Sequence, residues 1–539
     1  MRNPTETFLD TLMPLPVPDE VRRWDEDAAS LGIPPLLLME NAGAAAFRVL
    51  LRRLPDLYGK RIWLFMGPGN NGGDAACLAR YLHDAGADAL VLHTHPLKRS
   101  LGASGRHVRM AKSAGVRFAP AHSSWPGELP DCIVDGLLGT GFHGELREPM
   151  KNLVLKINAA GAGRLVFSLD VPSGLNALTG RPSPVAVRAD ITATFAAAKR
   201  GLLMPCANKW VGELHVCPIG MPAAIRSMTP CSSYALFPRS LDALPHLPEE
   251  THKNAFGHVL ILGGAFGLGG AAHLAARAAL RTGAGLVSAA APQASLEDIK
   301  SGWPEIMTCP ISEGSQWPSE IAPALSERIR RASTLVIGPG MGRDASASAF
   351  LKLILNSSNR PPAVIDADAL MLMAENPALL DSVSMEDVMT PHPGEAAALL
   401  QCTASDVQAD RFSALQALCG LQRGVVVLKG AATLVGQTNQ PPLICPCDIP
   451  QMAVGGAGDV LAGCIGGLHA RNAVFGLTAF AASGMGVVLH ALAGMRCAAK
   501  YPARGALASE IADAIPRVLS EAGAEATPEG WNRICLESN

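Results

Sequence analysis

Residues 61–74 read RIWLFM-GPGNNGGD, a six-residue apolar run closed by glycines and polar side chains. The run has the length of a buried strand, and the glycines turn the chain toward a helix predicted near 74–86. Gly67, Gly69 and Gly72 formally satisfy G-x-G-x-x-G, so free amides at a helix start could face an anionic group. A dinucleotide site built for hydride transfer also needs an acid at the end of the next strand. Val91-Leu92-His93-Thr94 stands there without one, which disfavours ordinary nicotinamide-dependent dehydrogenation.

Outward from this stretch the same rhythm repeats. Helices are predicted at 18–30 and 35–53, and strands at 89–92, 131–135, 164–169 and 191–195. A second half restarts with a strand at 258–262, Gly263-Gly264 and an Ala-rich helix near 270–282. Strands follow at 286–290, 333–337, 363–366, 386–389 and 424–428, with apolar helices at 459–470 and 474–494. Strands alternating with helices imply parallel sheets covered on both faces, hence an α/β chain. Between the halves, residues 221–250 carry Pro222, Pro230, Pro238, Pro245 and Pro248 and read as a connection. The last fifteen or so residues read as a loose tail.

The composition narrows the function. The chain has 539 residues, 48% of them apolar, enough for sizeable cores. Lys+Arg is 45 and Asp+Glu is 47, so no basic excess serves a nucleic acid. Thirteen cysteines are scattered, with Cys445-Pro446-Cys447 the only close pair. No CxxC spacing suggests a structural zinc or a disulfide framework, and reduced thiols in the cytoplasm are the expectation. The opening stretch is acidic, without an apolar core segment, and is not expected to be a secretory signal. Residues 472–495 are uncharged and long enough for a bilayer, but their glycines suggest a break around Ser483-Gly484 and a buried helix or helix pair, not a membrane span.

The polar residues concentrate at strand ends. Asn70, Asn71 and Asp74 flank the first glycines, Asp135 precedes Gly-Leu-Leu-Gly-Thr-Gly, and Asp170 precedes Val-Pro-Ser-Gly. In a parallel sheet these ends share one edge, where ligands bind. Oxygen donors of this kind suit a hard cation such as potassium or magnesium, not zinc. The bland alternative is that each Asp caps a helix or orders a turn. In the second half, GGAGD at 455–459 offers glycine amides before a helix with Asp459 at the lip. Amides holding a phosphoryl group beside a carboxylate that accepts a hydroxyl proton suit phosphoryl transfer. The amides are expected to lower the Asp459 pKa and keep it ionised. No GxxxxGK[ST] run is present.

MENAG at 39–43, GPGNNGGD at 67–74, DGLLGTG at 135–141 and SLDVPSGLN at 168–176 resemble the NAD(P)H-hydrate epimerase family over about residues 10–225. The resemblance implies a Rossmann-like parallel-sheet domain that interconverts the epimers of hydrated NADH or NADPH. It implies potassium held by Asn71, Asp135 and Ser173. Substrate contacts would come from Asn70, Asn71, Gly72, Gly73 and Asp74, from Gly139, Thr140, Gly141, Phe142, His143, Gly144 and Glu145, and from Asp170. Asp170 is the candidate for proton transfer; Lys199 either assists it or is a solvated lysine. Ala75 departs from the glycine usual in the family.

The second half resembles the ribokinase-like superfamily, and more narrowly NAD(P)H-hydrate dehydratase, over about 250–515. The run 265–287, Asp366-Ala-Asp368, TPHPGE and KGAAT carry this likeness. It implies hydrated cofactor near Ala271, Gly340, His392 and Asp459. It also implies ADP, or ATP as in eukaryotic relatives, with magnesium, bound by Lys429, Gly430, Ala431, Ala432, Thr433 and Gly458. Asp459 is the candidate general base; His392 could instead only brace its loop. Asn254 and Ala255 depart from the family pattern. The expected layout is an epimerase domain over 1–226, a linker over 227–247 and a ribokinase-like α/β domain over 248–539. The partners would be small molecules only, and the chain would self-associate as related domains do. Competing readings are a ribokinase-like small-molecule kinase with an N-terminal nucleotide-binding domain, and a nucleotide sensor without turnover.

Overall fold

The computed structural model describes residues 4–122, 125, 127–244, 252–471, 476–522 and 533–537. Contacts divide the chain into two units, neither continuous in sequence. One comprises Pro14–Ser233 with Pro528–Asn539, the other Met1–Met13 with Tyr234–Thr527.

In the first of these, the N-terminal unit, eight strands form one sheet. The order is Ile534–Leu536, Glu213–Cys217, Ile191–Phe195, Leu165–Leu169, Cys132–Gly136, Arg61–Met66, Asp88–His93, Arg117–Pro120. Every pairing is parallel. Such strands are buried on both faces and read as continuous apolar runs, as RIWLFM does. The strand order reverses at Arg61–Met66, whose neighbours are Asp88–His93 on one side and Cys132–Gly136 on the other. The loops after Met66 and Gly136 therefore diverge and leave a crevice.

The helix after Met66 starts earlier than its sequence suggests. It runs Asn70–Asp84 with Gly69 as N-cap, not from 74. Gly72 and Gly73 are thus helical, and they serve close approach instead of turning. A Cβ on Gly72 would lie 2.0 Å from the Gly67 carbonyl oxygen, and one on Gly73 would lie 2.5 Å from Met39 Sδ. The helix can sit this low on the sheet edge only with glycine at both positions.

The C-terminal unit carries an eleven-stranded sheet. Its order is Met13–Pro14, Tyr234–Ala235, Leu443–Cys445, Thr433–Gly436, Val425–Leu428, Val388–Met389, Ala363–Ile365, Thr334–Ile337, His258–Leu262, Leu286–Ala291, Met307–Pro310. From Val425–Leu428 to Met307–Pro310 all pairings are parallel, and the order reverses at His258–Leu262. Thr433–Gly436 then returns antiparallel.

Three expectations need correction. Residues 227–247 are not a simple linker. The units divide between Ser233 and Tyr234, Tyr234–Ala235 pairs with Leu443–Cys445, and Pro238–Ala243 forms a 3₁₀ helix; residues 245–247 lie outside the described ones. The end of the chain is not a loose tail where it is described, because Ile534–Leu536 adds an edge strand beside Glu213–Cys217. Glu537 reinforces it, bonded to Arg52 and to His215 Nδ1. Finally, the apolar stretch does not break at Ser483-Gly484. Ala479–Lys500 is one continuous helix, and 83% of its most apolar window is buried. Its glycine marks a contact, since a Cβ on Gly484 would lie 2.6 Å from Phe8 Cζ. Residues 472–475 lie outside the described ones.

Candidate active sites

In the N-terminal unit the crevice gathers residues from four strand ends. Asp135, at the end of Cys132–Gly136, is fully buried. It accepts from Ser173 Oγ (2.6 Å), Ser173 N (2.8 Å), Ser168 Oγ (3.0 Å) and Leu137 N (3.3 Å). Burial raises its pKa, and these donors oppose the shift. Asn71 donates through Nδ2 to the carbonyls of Leu138 (2.8 Å) and Leu169 (3.0 Å), which fixes its amide orientation. Its Oδ1 is then left buried with no hydrogen-bond partner. An orphaned buried oxygen, together with a buried carboxylate that has no cationic side-chain partner among the described residues, fits a hard cation. Asn71 and Ser173 meet at the Leu138 carbonyl, to which Asn71 Nδ2 donates at 2.8 Å and Ser173 Oγ lies at 3.3 Å, and Ser173 links them to Asp135.

Asp170 follows the strand Leu165–Leu169 and adopts a left-handed backbone, φ 62°. The turn aims its carboxylate at Lys199, with Nζ to Oδ1 at 2.5 Å. Lys199 is 2% exposed and also donates to Thr194 Oγ1 (3.0 Å) and the Phe195 carbonyl (2.9 Å). All three of its protons are therefore committed, and the solvated-lysine reading fails. Asp170 Oδ2 accepts from Thr140 N at 3.1 Å. A Cβ on Gly139 would come within 3.0 Å of that same oxygen, so glycine lets the 139–140 backbone reach the carboxylate. Asn70, Gly141, His143, Gly144 and Glu145 are exposed around the crevice, while Phe142 packs partly against the core beneath.

Asp74, one helical turn after Asn70, has its pKa raised well above the ordinary value by burial, then by Asp170 and Asp25. Asp25 is raised to about 6, chiefly by burial; Lys199 opposes the shift and Asp170 adds to it. Sequence reading missed Asp25, which sits on the acidic helix Pro18–Ser30 and looks like a surface residue there.

In the C-terminal unit, three carboxylates act on one lysine, Lys429. Lys429, just past Val425–Leu428, pairs with Asp366 (2.6 Å) and Glu395 (3.6 Å). Burial works against its charge, but Asp366 and Glu395 outweigh burial and the pKa is raised. Asp459 lies in the first turn of Ala457–His469, after Gly456 at φ 91°. Contrary to the expected depression by the amide cradle, its pKa is raised to about 7. Burial is the largest cause and Asp366 the next, with Lys429 opposing. Desolvation thus outweighs the helix-start amides. Glu395 is likewise raised to about 7, mainly by burial. Asp368 accepts from Gly342 N (2.9 Å) and pairs with Arg343 (3.2 Å).

His392 caps the helix Pro393–Leu400. Its Nδ1 accepts from Gly394 N (2.9 Å) and Glu395 N (3.2 Å), so it does brace its loop, while its ring stays 55% exposed. Gly340, at φ 59°, approaches Ala271: a Cβ there would be 3.1 Å from the Ala271 Cβ. The 429–433 loop is braced from below by Arg411, which donates to the carbonyls of Leu428, Lys429 and Ala432. Gly430 (φ 125°) and Ala432 (φ 53°) take left-handed conformations there, and Thr433 Oγ1 closes the turn on the Gly430 carbonyl. A Cβ on Gly458 would lie 3.3 Å from Lys429 Nζ, which joins the two loops. Asp366 and Glu395 were visible in sequence only as motif letters; their clamp on Lys429 needs three strands side by side.

Comparison with known proteins finds a family match in each unit. Residues 259–517 match the family described as NAD(P)H-hydrate dehydratase, and residues 36–201 match the YjeF-related protein N-terminus. A bifunctional NAD(P)H-hydrate repair enzyme of Coxiella burnetii is 36% identical over 91% of this chain and 96% of its own. The Escherichia coli enzyme of the same name is 34% identical over 93% of each chain. A solved ribokinase-like superfamily protein of Enterococcus faecalis is 26% identical, covers 54% of this chain and 96% of its own, and has a TM-score of 0.48. With two catalytic units, each matched by its own family and joined as in relatives of nearly equal length, the chain belongs to the bifunctional NAD(P)H-hydrate repair enzymes.

Proposed function

We propose that the two crevices divide the repair between them and that the named residues carry it. In the N-terminal unit the hydroxyl-bearing carbon of the hydrated nicotinamide ring lies between Asp170 and Asp74. Asp74, whose pKa burial raises, gives a proton to the departing hydroxyl as the ring nitrogen lone pair forms the iminium. Water adds to the opposite face and Asp170, held by Lys199, takes its proton, which inverts the carbon with no net redox change. Potassium at Asn71, Asp135 and Ser173 would supply fixed positive charge under this edge.

In the C-terminal unit Asp459 takes the hydroxyl proton while the hydroxyl receives a phosphoryl group from ADP. A pKa of about 7 suits a base that works near neutrality. Phosphate then leaves with the C–O electrons, the ring nitrogen lone pair assists, and loss of the neighbouring carbon-bound proton restores the dihydronicotinamide. A solved relative from Bacillus subtilis is described as an ADP/ATP-dependent NAD(P)H-hydrate dehydratase, crystallised with ATP and magnesium. The excess of carboxylates over Lys429 fits magnesium here, where it would neutralise phosphate charge. Thirteen cysteines, none of them in a disulfide, support a reducing compartment, the cytoplasm. Self-association rests on the resemblance alone, and light scattering would test it.

The observation that carries the reading is that each unit places its own lysine–carboxylate pair at parallel strand ends. The test is to mix both epimers of hydrated NADH with ADP and magnesium and follow the return of dihydronicotinamide absorbance. Full recovery of both epimers is expected. Recovery of half, or a phosphorylated product that persists, would refute the two-step scheme.

A further inference from the structure

Behind the N-terminal crevice, three helices bring together side chains that sequence spacing keeps apart. Glu40 comes from Pro35–Arg53, Cys77 from Asn70–Asp84 and His107 from Gly102–Ser113. Glu40 Oε2 lies 3.8 Å from Cys77 Sγ and 3.7 Å from His107 Nδ1, and all three ligand atoms lie within 4.8 Å of one another. With zinc–ligand bonds of about 2.0–2.3 Å, tetrahedral donors stand roughly 3.3–3.6 Å apart, so small side-chain adjustments suffice.

The surroundings orient each donor. The other oxygen of Glu40, Oε1, is held by Arg80 and by the Tyr81 hydroxyl, which leaves Oε2 facing the cluster. His107 Nε2 faces the Leu36 carbonyl at 3.4 Å, which favours the tautomer with a bare lone pair on Nδ1. That Nδ1 is buried without a hydrogen-bond partner, in a side chain with no solvent exposure. Partners of this kind orient metal ligands. The two main helices approach closely because residue 43 is glycine; a Cβ there would lie 2.4 Å from Cys77 Sγ. Glu40 is 28% exposed, which gives an ion a way in.

We infer that Glu40, Cys77 and His107 form a zinc site that ties the helix bearing Asn70–Asp74 to its two neighbours. Sulfur, nitrogen and one carboxylate oxygen match zinc and not a hard cation, so this site differs in kind from the potassium pocket. Binding exchanges the Cys77 thiol proton for the metal and releases it to solvent. Three protein donors leave one position for water. Arg80, with Nη2 4.0 Å from Cys77 Sγ, stays on the Glu40 oxygen turned away from the metal.

The test is zinc retention by the full chain after loading and desalting, with cobalt as the spectroscopic probe. About one zinc per chain is expected beyond that kept by Cys77→Ser, because Cys206 and Cys402 are exposed and can hold metal adventitiously. The cobalt thiolate charge-transfer band should disappear in Cys77→Ser, and zinc should raise the melting temperature of the unsubstituted chain only. His107→Gln repeats the comparison if Cys77→Ser does not fold. Absence of retained zinc in the unsubstituted chain, or equal retention in both variants, overturns the site. Dehydratase activity should be unchanged throughout.

Discussion

At the scale of the residue, the environment of Asp459 decides how the C-terminal unit responds to pH. Its carboxyl is raised to about 7 by burial and by Asp366. The proposed base must be ionised to act, so kcat/KM for dehydration should rise with pH through about 7 and fall below it as the group takes up a proton. Asp366→Asn removes a neighbouring negative charge and frees Lys429 toward Asp459. Both changes lower the Asp459 pKa, so the acid limb of the profile should move to lower pH. A limb that stays in place would assign it to another group. Asp459→Asn should lose about 10²–10⁴-fold in dehydration, keep nucleotide binding, and leave epimerisation untouched. In the N-terminal unit, Asp135→Asn takes the carboxylate charge from the proposed cation site. Epimerisation should fall and lose its preference for potassium over sodium; equal rates in the two salts before substitution would remove the ion from the mechanism.

At the scale of the element, the N-terminal helix Pro4–Thr11 is a structural part of the C-terminal unit. Phe8 is fully buried and fills the hollow left by Gly484 in Ala479–Lys500. Arg239 Nε donates to the Thr11 carbonyl at 2.7 Å, and Thr5 Oγ1 to the Gly476 carbonyl at 3.0 Å. Phe8→Ala leaves a cavity that the helix backbone cannot close. It should cost about 3–5 kcal/mol, read in urea unfolding of the dehydratase unit, with the epimerase unit unaffected. Gly484→Ala should destabilise the same unit by overpacking, by about 1–3 kcal/mol. A neutral result for both would mean that the N-terminal helix is merely laid on the surface. The apolar run at 472–495 gave no hint of this contact, because an apolar helix with glycines looks alike whether it faces lipid or a phenylalanine.

At the scale of the whole molecule, each catalytic unit borrows a segment from the far end of the chain. A cut near 230–245 leaves the N-terminal half without Ile534–Leu536 and the C-terminal half without Phe8. Ending the chain at 522 should therefore lower the melting temperature of the epimerase unit by several degrees, at about 2–4 °C per kcal/mol, and leave dehydration intact. Calorimetry of the truncated chain checks this; an unchanged epimerase transition would mean the edge strand adds nothing. Local sequence was enough for the parallel strands, the glycine loops after them and the carboxylates at their ends. These follow from short-range apolar runs and turn chemistry, and the family motifs sit on them. Where the helix after Gly69 begins, that Asp459 is raised and not depressed, and that Lys199 is buried against Asp170 all depend on neighbours far away in sequence. So do the partnerships of Phe8 with Gly484, of Ile534–Leu536 with Glu213–Cys217, and of Glu40, Cys77 and His107 with one another. Sequence fixes what each residue can offer over a few neighbours, whereas burial, which sets both pKa and ligand encounter, is a property of the packed chain.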